Sequence, residues 1–416
     1  MTTVLIISFS DLTRDPRVSR QISFLKDNYE LITIGFGQPT EPSVKHFPAV
    51  ETLPEAIAHA AADASQPSRI VKYRKGIARR YRRVKGGVKR RYTRIKPSAE
   101  LLLRRYEHHY WQKAEIIRAL SLMANMTFDV VIANDIDALP LALKGAKGKK
   151  VIFDAHEYAP LELENKLSFR LFRQGFVTYL CNQYVPKADG MMTVCDAIAE
   201  RFKNTTGKES LIITNAPDYL EAPPRLVDGE GQKIKLIHHG GASPLRKLEK
   251  MIEMMAYLDE GRFELHLMLV EGSRPYIEEL KALAKVRNDV FFHDPVPMPE
   301  IASFINQHFD VGVYILEPNC FNNIYALPNK FFEFVQGKLA IAIAPSPEMA
   351  RRVADYDLGV VADDFTPQAL ATELNKLDQQ QINRYKKNAY EASQQLSANN
   401  NQPKVLALVE QVLASQ

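Results

Sequence analysis

Short unbroken apolar runs alternate along this chain with longer stretches in which apolar residues recur every three or four positions. Runs at residues 4–9, 30–35, 129–133 and 151–153 read as strands buried on both faces, the pattern of a parallel sheet. Between the first two, DPRVSRQISFL places Asp15 as an N-cap, Pro16 at the first helical position, and Val18, Ile22 and Leu25 on one face. Ser98 is expected to cap a single helix running to residue 124, with Leu102, Tyr106, Tyr110, Ala114 and Ile117 on its buried side. Residues 189–202 read as a strand then a helix, and LIITNAPD as the last strand of the first half. After a linker at 219–232 rich in turn residues, the alternation restarts at 234–238. Strands are predicted at 263–269, 290–293, 311–316, 339–344 and 359–362. Helices are predicted from Pro244, over 275–285 and 299–307, and from Leu327, Pro345, Pro367, Gln380 and Pro403. Repeated βα units predict doubly wound α/β sheets. At 416 residues, two domains of about 200 residues are expected. They are placed at 1–218 and 233–398, followed by a closing helix at 399–416.

Charge singles out one periodic stretch. Across 69–96, Ile70, Tyr73, Ile77, Tyr81, Val84, Val88, Tyr92 and Ile95 stand three or four apart. Fourteen Lys and Arg residues, and no acid, fill most of the rest. Without those 14, 40 basic residues face 49 acidic ones, so the formal charge of +5 is a local property. A solvated arm would mix signs, whereas a one-signed amphipathic helix suits an anionic membrane surface. Arg79, Arg80, Tyr81, Arg82, Arg83, Lys89, Arg90 and Arg91 are its expected contacts. Nucleic acid is the less favoured partner for the same charge, and a partner-binding arm is a further alternative. The three cysteines lack metal spacing, which fits a reducing compartment. No apolar run approaches the ~20 residues of a membrane span, and MTTVLIISF lacks the features of a signal peptide. The expectation is a cytoplasmic protein, peripheral on the inner face of the plasma membrane. Oligomeric state is not legible.

Candidate chemistry collects at the carboxyl ends of the predicted strands, where open α/β sheets bind ligands. Ser10, Asp11 and Arg14 follow the first strand, in a loop without the glycines of a dinucleotide fingerprint, which excludes an NAD site. Asn134 and Asp135 end another strand, and Asp154, Ala155, His156 and Glu157 a third. A histidine beside two carboxylates could be a base, a ligand, a positioned acceptor contact, or a structural residue held by neighbouring backbone. Zinc is disfavoured, because no second His or Cys stands at a helical offset. His108, His109 and Trp111 read as packing or surface residues. In the second half, the turn HHGGASPLRK lets the backbone at Gly240 and Gly241 approach a ligand, with Arg246 and Lys247 within reach of a diphosphate. LPNKFFEF opens a helix whose free N–H groups and positive dipole end favour an anion. Lys330, one turn inside, adds a mobile point charge, and Glu333, three residues on, shares its face. A surface Lys–Glu pair in an ordinary βαβ unit is the plainer reading of the same residues.

DPRVSRQ, FDAHEY, NAPD, HHGG, and PNKFFEF followed by Gly337, an apolar strand and PSPEM resemble the retaining GT-B glycosyltransferases of family four, in its bacterial group 1 type. The resemblance covers nearly the whole chain apart from 70–120. It implies a GT-B fold of two Rossmann-like doubly wound parallel-sheet domains facing across a cleft. The first would bind acceptor, the second the nucleotide sugar, and the last helix would cross back to the first. It also implies a UDP-sugar donor, with a GDP-sugar as alternative, and a glycan or lipid-linked acceptor. No cofactor and no metal are implied, because Arg246, Lys247, Lys330 and two helix N-termini can neutralise the departing diphosphate. Glu333 matches the family's ribose-binding glutamate, His293 would lie over the base, and Asn329 stands beside Lys330. His156 would approach donor sugar and acceptor, with Ser10, Asp11, Arg14, Asp135 and Glu157 on the acceptor side. His156, Arg246, Lys330 and Glu333 make up the implied catalytic set. The chain departs from the family pattern at Gly241, where an Arg is usual, and at Arg246, where a Lys is usual. Tyr325 stands where the first of two glutamates belongs; Asn322, Asn323 or their loop backbone could substitute, and Glu317 is a remoter candidate. The rival readings are a GT-B epimerase or hydrolase, and a non-catalytic membrane-bound scaffold subunit.

Overall fold

A computed structural model describes residues 1–50, 99–229 and 231–415. The basic 69–96 stretch, with its eight predicted membrane contacts, and the Ser98 cap lie outside the described residues. The chain divides into two compact units. The first comprises Met1–Met191, Asn204–Lys208 and Val412–Gln416, and the second Met192–Lys203 and Glu209–Gln411.

A seven-stranded sheet has the order β3-β2-β1-β4-β5-β6-β7. Its strands are β1 (Thr3–Asp11), β2 (Glu30–Phe36), β3 (Lys45–Pro48), β4 (Val130–Asn134), β5 (Lys150–Ala155), β6 (Gly190–Thr193) and β7 (Leu211–Ile212). The order reverses at β1, which runs parallel to both β2 and β4, with Val4 opposite Leu31 on one side and Val130 on the other. Val4, Leu5, Ile6 and Ile7 are buried on both faces, which is why the strand reads as an unbroken apolar run. The helix Pro16–Leu25 begins where expected. Asp15 accepts from the Arg17 and Val18 amides, and Pro16, lacking an N–H, sits where none is needed. Several elements had no sequence expectation, among them the short edge strand β3 and the helices Leu139–Gly145, Leu167–Phe172, Gln174–Tyr184 and Phe321–Ile324.

The single helix expected over 98–124 is instead interrupted. Arg104 is left-handed, and separate helices run over Tyr106–Trp111 and Ala114–Ala124. Each break resets the helical phase, so the predicted stripe does not stay inward. Tyr110 is buried, but Leu102 and Ile117 are exposed, and Ile116, Ala119 and Met123 face the core in their place.

The second sheet is six-stranded, in the order β10-β9-β8-β11-β12-β13. It comprises β8 (Ile234–Gly241), β9 (Phe263–Val270), β10 (Val290–His293), β11 (Val311–Tyr314), β12 (Ala340–Ile343) and β13 (Gly359–Val361). Its order reverses at β8, which pairs in parallel with β9 and β11. The core includes Leu236, Leu265, Leu267, Val311, Val313, Ala340 and Ala342. Gly312 lets the helix Asn329–Gln336 press onto β11: a Cβ there would lie 2.4 Å from the Phe334 ring. That approach fixes the depth of the helix carrying Lys330 and Glu333.

Of the helix starts that differ from expectation, three bear on the site or on the closing helix. No α-helix opens at Pro244; Pro244–Arg246 is one 3-10 turn, Lys247 turns left-handed, and the α-helix runs from Glu249 to Met254. The 329–336 helix has Pro328 at its N-cap, just outside the first turn, with no side-chain cap. The last helix spans Ala398–Ala414, so Pro403 lies inside it. Its first turn is anchored to 214–217, where the Ala398 amide donates to the Pro217 carbonyl and Asn401 to the Thr214 carbonyl. Those contacts compensate the one helical bond that Pro403 cannot make.

Candidate functional site

Among the described residues, a cluster of polar side chains sits at the point where the strand order of each sheet reverses. In the second unit the end of β8 meets the start of the Asn329–Gln336 helix. Gly240, with φ +117°, leaves its Cβ position 3.5 Å from Lys330 Nζ and 3.8 Å from Arg246 Nη1, so two cationic groups flank one glycine backbone. Arg246 Nη1 donates to the Gly241 carbonyl at 3.3 Å. Lys330 is not the mobile charge expected of it. It is 5% exposed, its Nζ is 3.1 Å from His238 Nε2, and it lies 4.2 Å from the Tyr314 ring centre. Burial, with the Arg246 charge adding to it, pulls the Lys330 amine well below its usual range; Glu333 opposes the shift.

Glu333 is 7% exposed, and its Oε2 faces His239 Nε2 at 3.5 Å. His239 is held neutral by burial and by Lys330, with a pKa of about 3, and its Nε2 has no hydrogen-bond partner. Burial, reinforced by Lys330, likewise keeps His238 neutral. Asn329 opens the uncapped helix. The cluster therefore offers a guanidinium, a buried amine, a helix N-terminus and a glycine backbone to an anion, with a buried carboxylate one turn away for hydroxyl groups.

In the first unit the carboxyl ends of β1, β4 and β5 converge on Asp154. This fully buried carboxylate accepts Arg17 Nε at 2.8 Å, Arg17 Nη2 at 2.7 Å and Gln21 Nε2 at 2.5 Å. Gln21 and Asn134 exchange hydrogen bonds at 3.0 and 3.1 Å. His156 fits between acceptors: Nδ1 lies 3.3 Å from Asp135 Oδ2, and Nε2 lies 3.2 Å from Asn134 Oδ1 and 3.7 Å from Asp154 Oδ2. Burial alone would lower its pKa, but Asp135 and Asp154 outweigh that and raise it to about 9. Burial would lift the Asp154 carboxyl, yet the Arg17 charge and the bond to His156 hold it well below the usual carboxylate range. His156 is thus an imidazolium at neutral pH, a donor and not a base.

Other predicted site residues are engaged elsewhere. Lys247 turns away to Glu249, at 3.5 Å, and is half exposed. His293 Nε2 pairs with His266 Nδ1 at 2.8 Å, and its ring meets Phe309 edge-on. Asn322 and Asn323 fall in a short helix, Phe321–Ile324, where Asn323 donates to Asn319 Oδ1. Glu317 is ion-paired to Lys250 at 2.5 Å. Ser10 bonds to the capping Asp15, Asp11 accepts from the Thr13 amide, and Arg14 and Glu157 are exposed. Sequence reasoning missed Arg17, Gln21, His238 and Tyr314. For the first two a signal existed: polar residues four apart on a helix whose Val18 and Ile22 face the core. Among the described residues, no group of three or more His, Cys, Asp or Glu could hold a metal ion.

No protein-family model matches the chain, and no curated protein sequence matches it. Solved structures do. Sucrose-phosphate synthase from Thermosynechococcus elongatus aligns over 100% of both chains with TM-score 0.69 and 11% identity. HepE from Anabaena, in complex with UDP-glucose, aligns over 99% of this chain and 100% of its own, with TM-score 0.64 and 13% identity. A TarM variant from S. aureus, in complex with UDP and other ligands, aligns over 100% of both chains, with TM-score 0.65 and 9% identity. The fold is GT-B. Its two Rossmann-like halves are the sheets of reversed order described above, and the Gly240 cluster stands at the reversal point of the second half. Among the described residues, no helix is long and apolar enough to cross a membrane.

Proposed function

We propose that this chain is a retaining GT-B glycosyltransferase of the family-four type. It would move a hexose from a nucleoside diphosphate sugar, UDP-linked in preference to GDP-linked, to a glycan or lipid-linked acceptor in bacterial surface polysaccharide synthesis. One observation carries the reading: Arg246 and Lys330 flank the Gly240 backbone at the reversal point of the second sheet, with Glu333 one turn behind. Similar structures hold UDP-glucose in HepE and UDP in TarM. In the reaction the acceptor oxygen bonds to the anomeric carbon as the carbon–oxygen bond to the diphosphate breaks. The bonding electrons leave with the diphosphate, and the acceptor proton passes to a donor phosphate oxygen. Arg246, Lys330 and the Asn329 helix terminus meet the charge that develops on the leaving group. These cations let the step proceed with neither cofactor nor metal. Glu333 accepts hydrogen bonds from the ribose. His156, a cation with both ring nitrogens facing acceptors, positions groups on the acceptor side. The basic 69–96 stretch supports a cytoplasmic enzyme held peripherally on the inner face of the plasma membrane.

A thermal-shift panel of UDP, GDP, ADP and CMP, each with and without its common sugars, tests this reading. Occupancy at 100 times Kd adds about 2.7 kcal/mol of stability, an easily measured shift. One diphosphate nucleotide should stand out, and Lys330→Ala and Glu333→Ala should each weaken its binding and sugar transfer. Unchanged nucleotide affinity and transfer in both variants would refute the assignment.

A further inference from the structure

We propose that His238 is a positioning residue that aims the Lys330 amine across Gly240 at an anion bound beside Arg246. The inference rests on the diphosphate reading of this cluster and names what orients its buried cation.

The geometry settles the histidine tautomer. His238 is fully buried in β8, and its Nδ1 lies 3.1 Å from the Val313 carbonyl oxygen on the neighbouring strand. A carbonyl only accepts, so Nδ1 carries the hydrogen. In the neutral ring, Nε2 then holds a lone pair, and it points at Lys330 Nζ, 3.1 Å away. Lys330 therefore donates to His238. The Tyr314 ring completes the seat: it stacks on His238 with centres 5.4 Å apart and planes 29° apart, and Lys330 Nζ lies 4.2 Å from its centre. On its other side Nζ is 3.5 Å from the Cβ position of Gly240, towards Arg246. One N–H is spent on His238, so the remaining ones are directed along the glycine backbone.

An acceptor favours the charged form of the amine, so His238 works in the same direction as the Glu333 charge and against burial and the Arg246 charge. Two substitutions separate orientation from packing. His238→Leu fills space without accepting a hydrogen bond, whereas His238→Gln presents an amide oxygen near the Nε2 position. UDP affinity is measured by calorimetry from pH 6.5 to 9. His238→Leu should bind UDP at least about tenfold more weakly than the native protein at pH 9, with the gap narrowing as pH falls. His238→Gln should follow the native profile. Should His238→Leu fail to fold, His238→Asn replaces it with the same expectation, since it keeps the bond to Val313 but cannot reach Lys330. No loss in His238→Leu at any pH would overturn the inference, as would His238→Gln behaving like the variant that lacks the acceptor. Lys330→Ala serves as the reference. If it leaves UDP binding intact, the diphosphate reading itself fails. If it abolishes binding while the His238 variants do nothing, only the positioning role falls.

Discussion

Replacing Asp154 by Asn is the perturbation with the most legible outcome. The carboxylate is fully buried and receives Arg17 through two nitrogens, Gln21 through one, and His156 across 3.7 Å. Asparagine keeps the volume, but it removes the charge and turns one acceptor into a donor facing donors. Arg17, whose side chain is 6% exposed, would lose the carboxylate it now meets through two nitrogens. Removing one partner of a buried ion pair costs about 3–5 kcal/mol. At ~2–4 °C per kcal/mol for a unit of this size, the transition should fall by roughly 6–20 °C.

The second consequence is electrostatic. His156 titrates near pH 9 in the folded state against an ordinary 6.5. A raised pKa means that its contribution to stability is complete below pH 6.5 and disappears as pH rises through 9. The size is about 3 kcal/mol, at about 1.36 kcal/mol per pH unit. In the Asp154→Asn variant the folded pKa of His156 should drop towards 6.5, and the alkaline loss of stability should flatten. Asp154 itself has a depressed pKa, so its contribution is present above pH 3.8 and is lost on acidification. Denaturant unfolding from about pH 2 to 9.5, with the His156 ring followed by NMR, measures both effects. A stability loss under about 1 kcal/mol, or an unmoved His156 titration, would refute the coupling.

Gly312→Val should destabilise by about 1–3 kcal/mol, since its Cβ meets Phe334 at 2.4 Å. By lifting the Lys330 helix off β11 it should also weaken UDP binding; an unchanged unfolding midpoint would count against the close-approach argument. Arg246→Ala should reduce diphosphate affinity at least tenfold, about 1.4 kcal/mol, and should raise the Lys330 pKa by removing a repelling charge. Because burial holds the Lys330 amine below its usual range, diphosphate affinity in the native protein should fall as pH rises through that depressed value. An affinity that falls only in the ordinary lysine range near pH 10.5 would contradict it.

Local signals explain what could be read without coordinates. Asp15, Pro16 and the spacing of Val18, Ile22 and Leu25 specify a helix start from groups a few residues apart, and the structure places that helix accordingly. The same logic failed over 98–124, because a left-handed Arg104 and a second break after Trp111 rotate the apolar face, and spacing alone does not reveal a break. The turn after Gly241 misled in a similar way, since Pro244 marks a helix start but cannot tell a 3-10 turn from an α-helix. His293 shows the limit for single residues: its place at a strand end was legible, its pairing with His266 on the neighbouring strand was not.

The sequence by itself determined the alternating βα order, the parallel character of both sheets and the residues at their carboxyl ends, because periodicity and capping act over a few positions. Only the tertiary structure decided which strands lie side by side at each reversal. It alone tied Asp154 to Arg17, 137 positions earlier, and buried Lys330 against a neutral His238, 92 positions away. Those pairings set whether His156 carries a proton and how readily Lys330 does. Charge state in a buried site depends on desolvation and on partners that strand order delivers from distant parts of the chain.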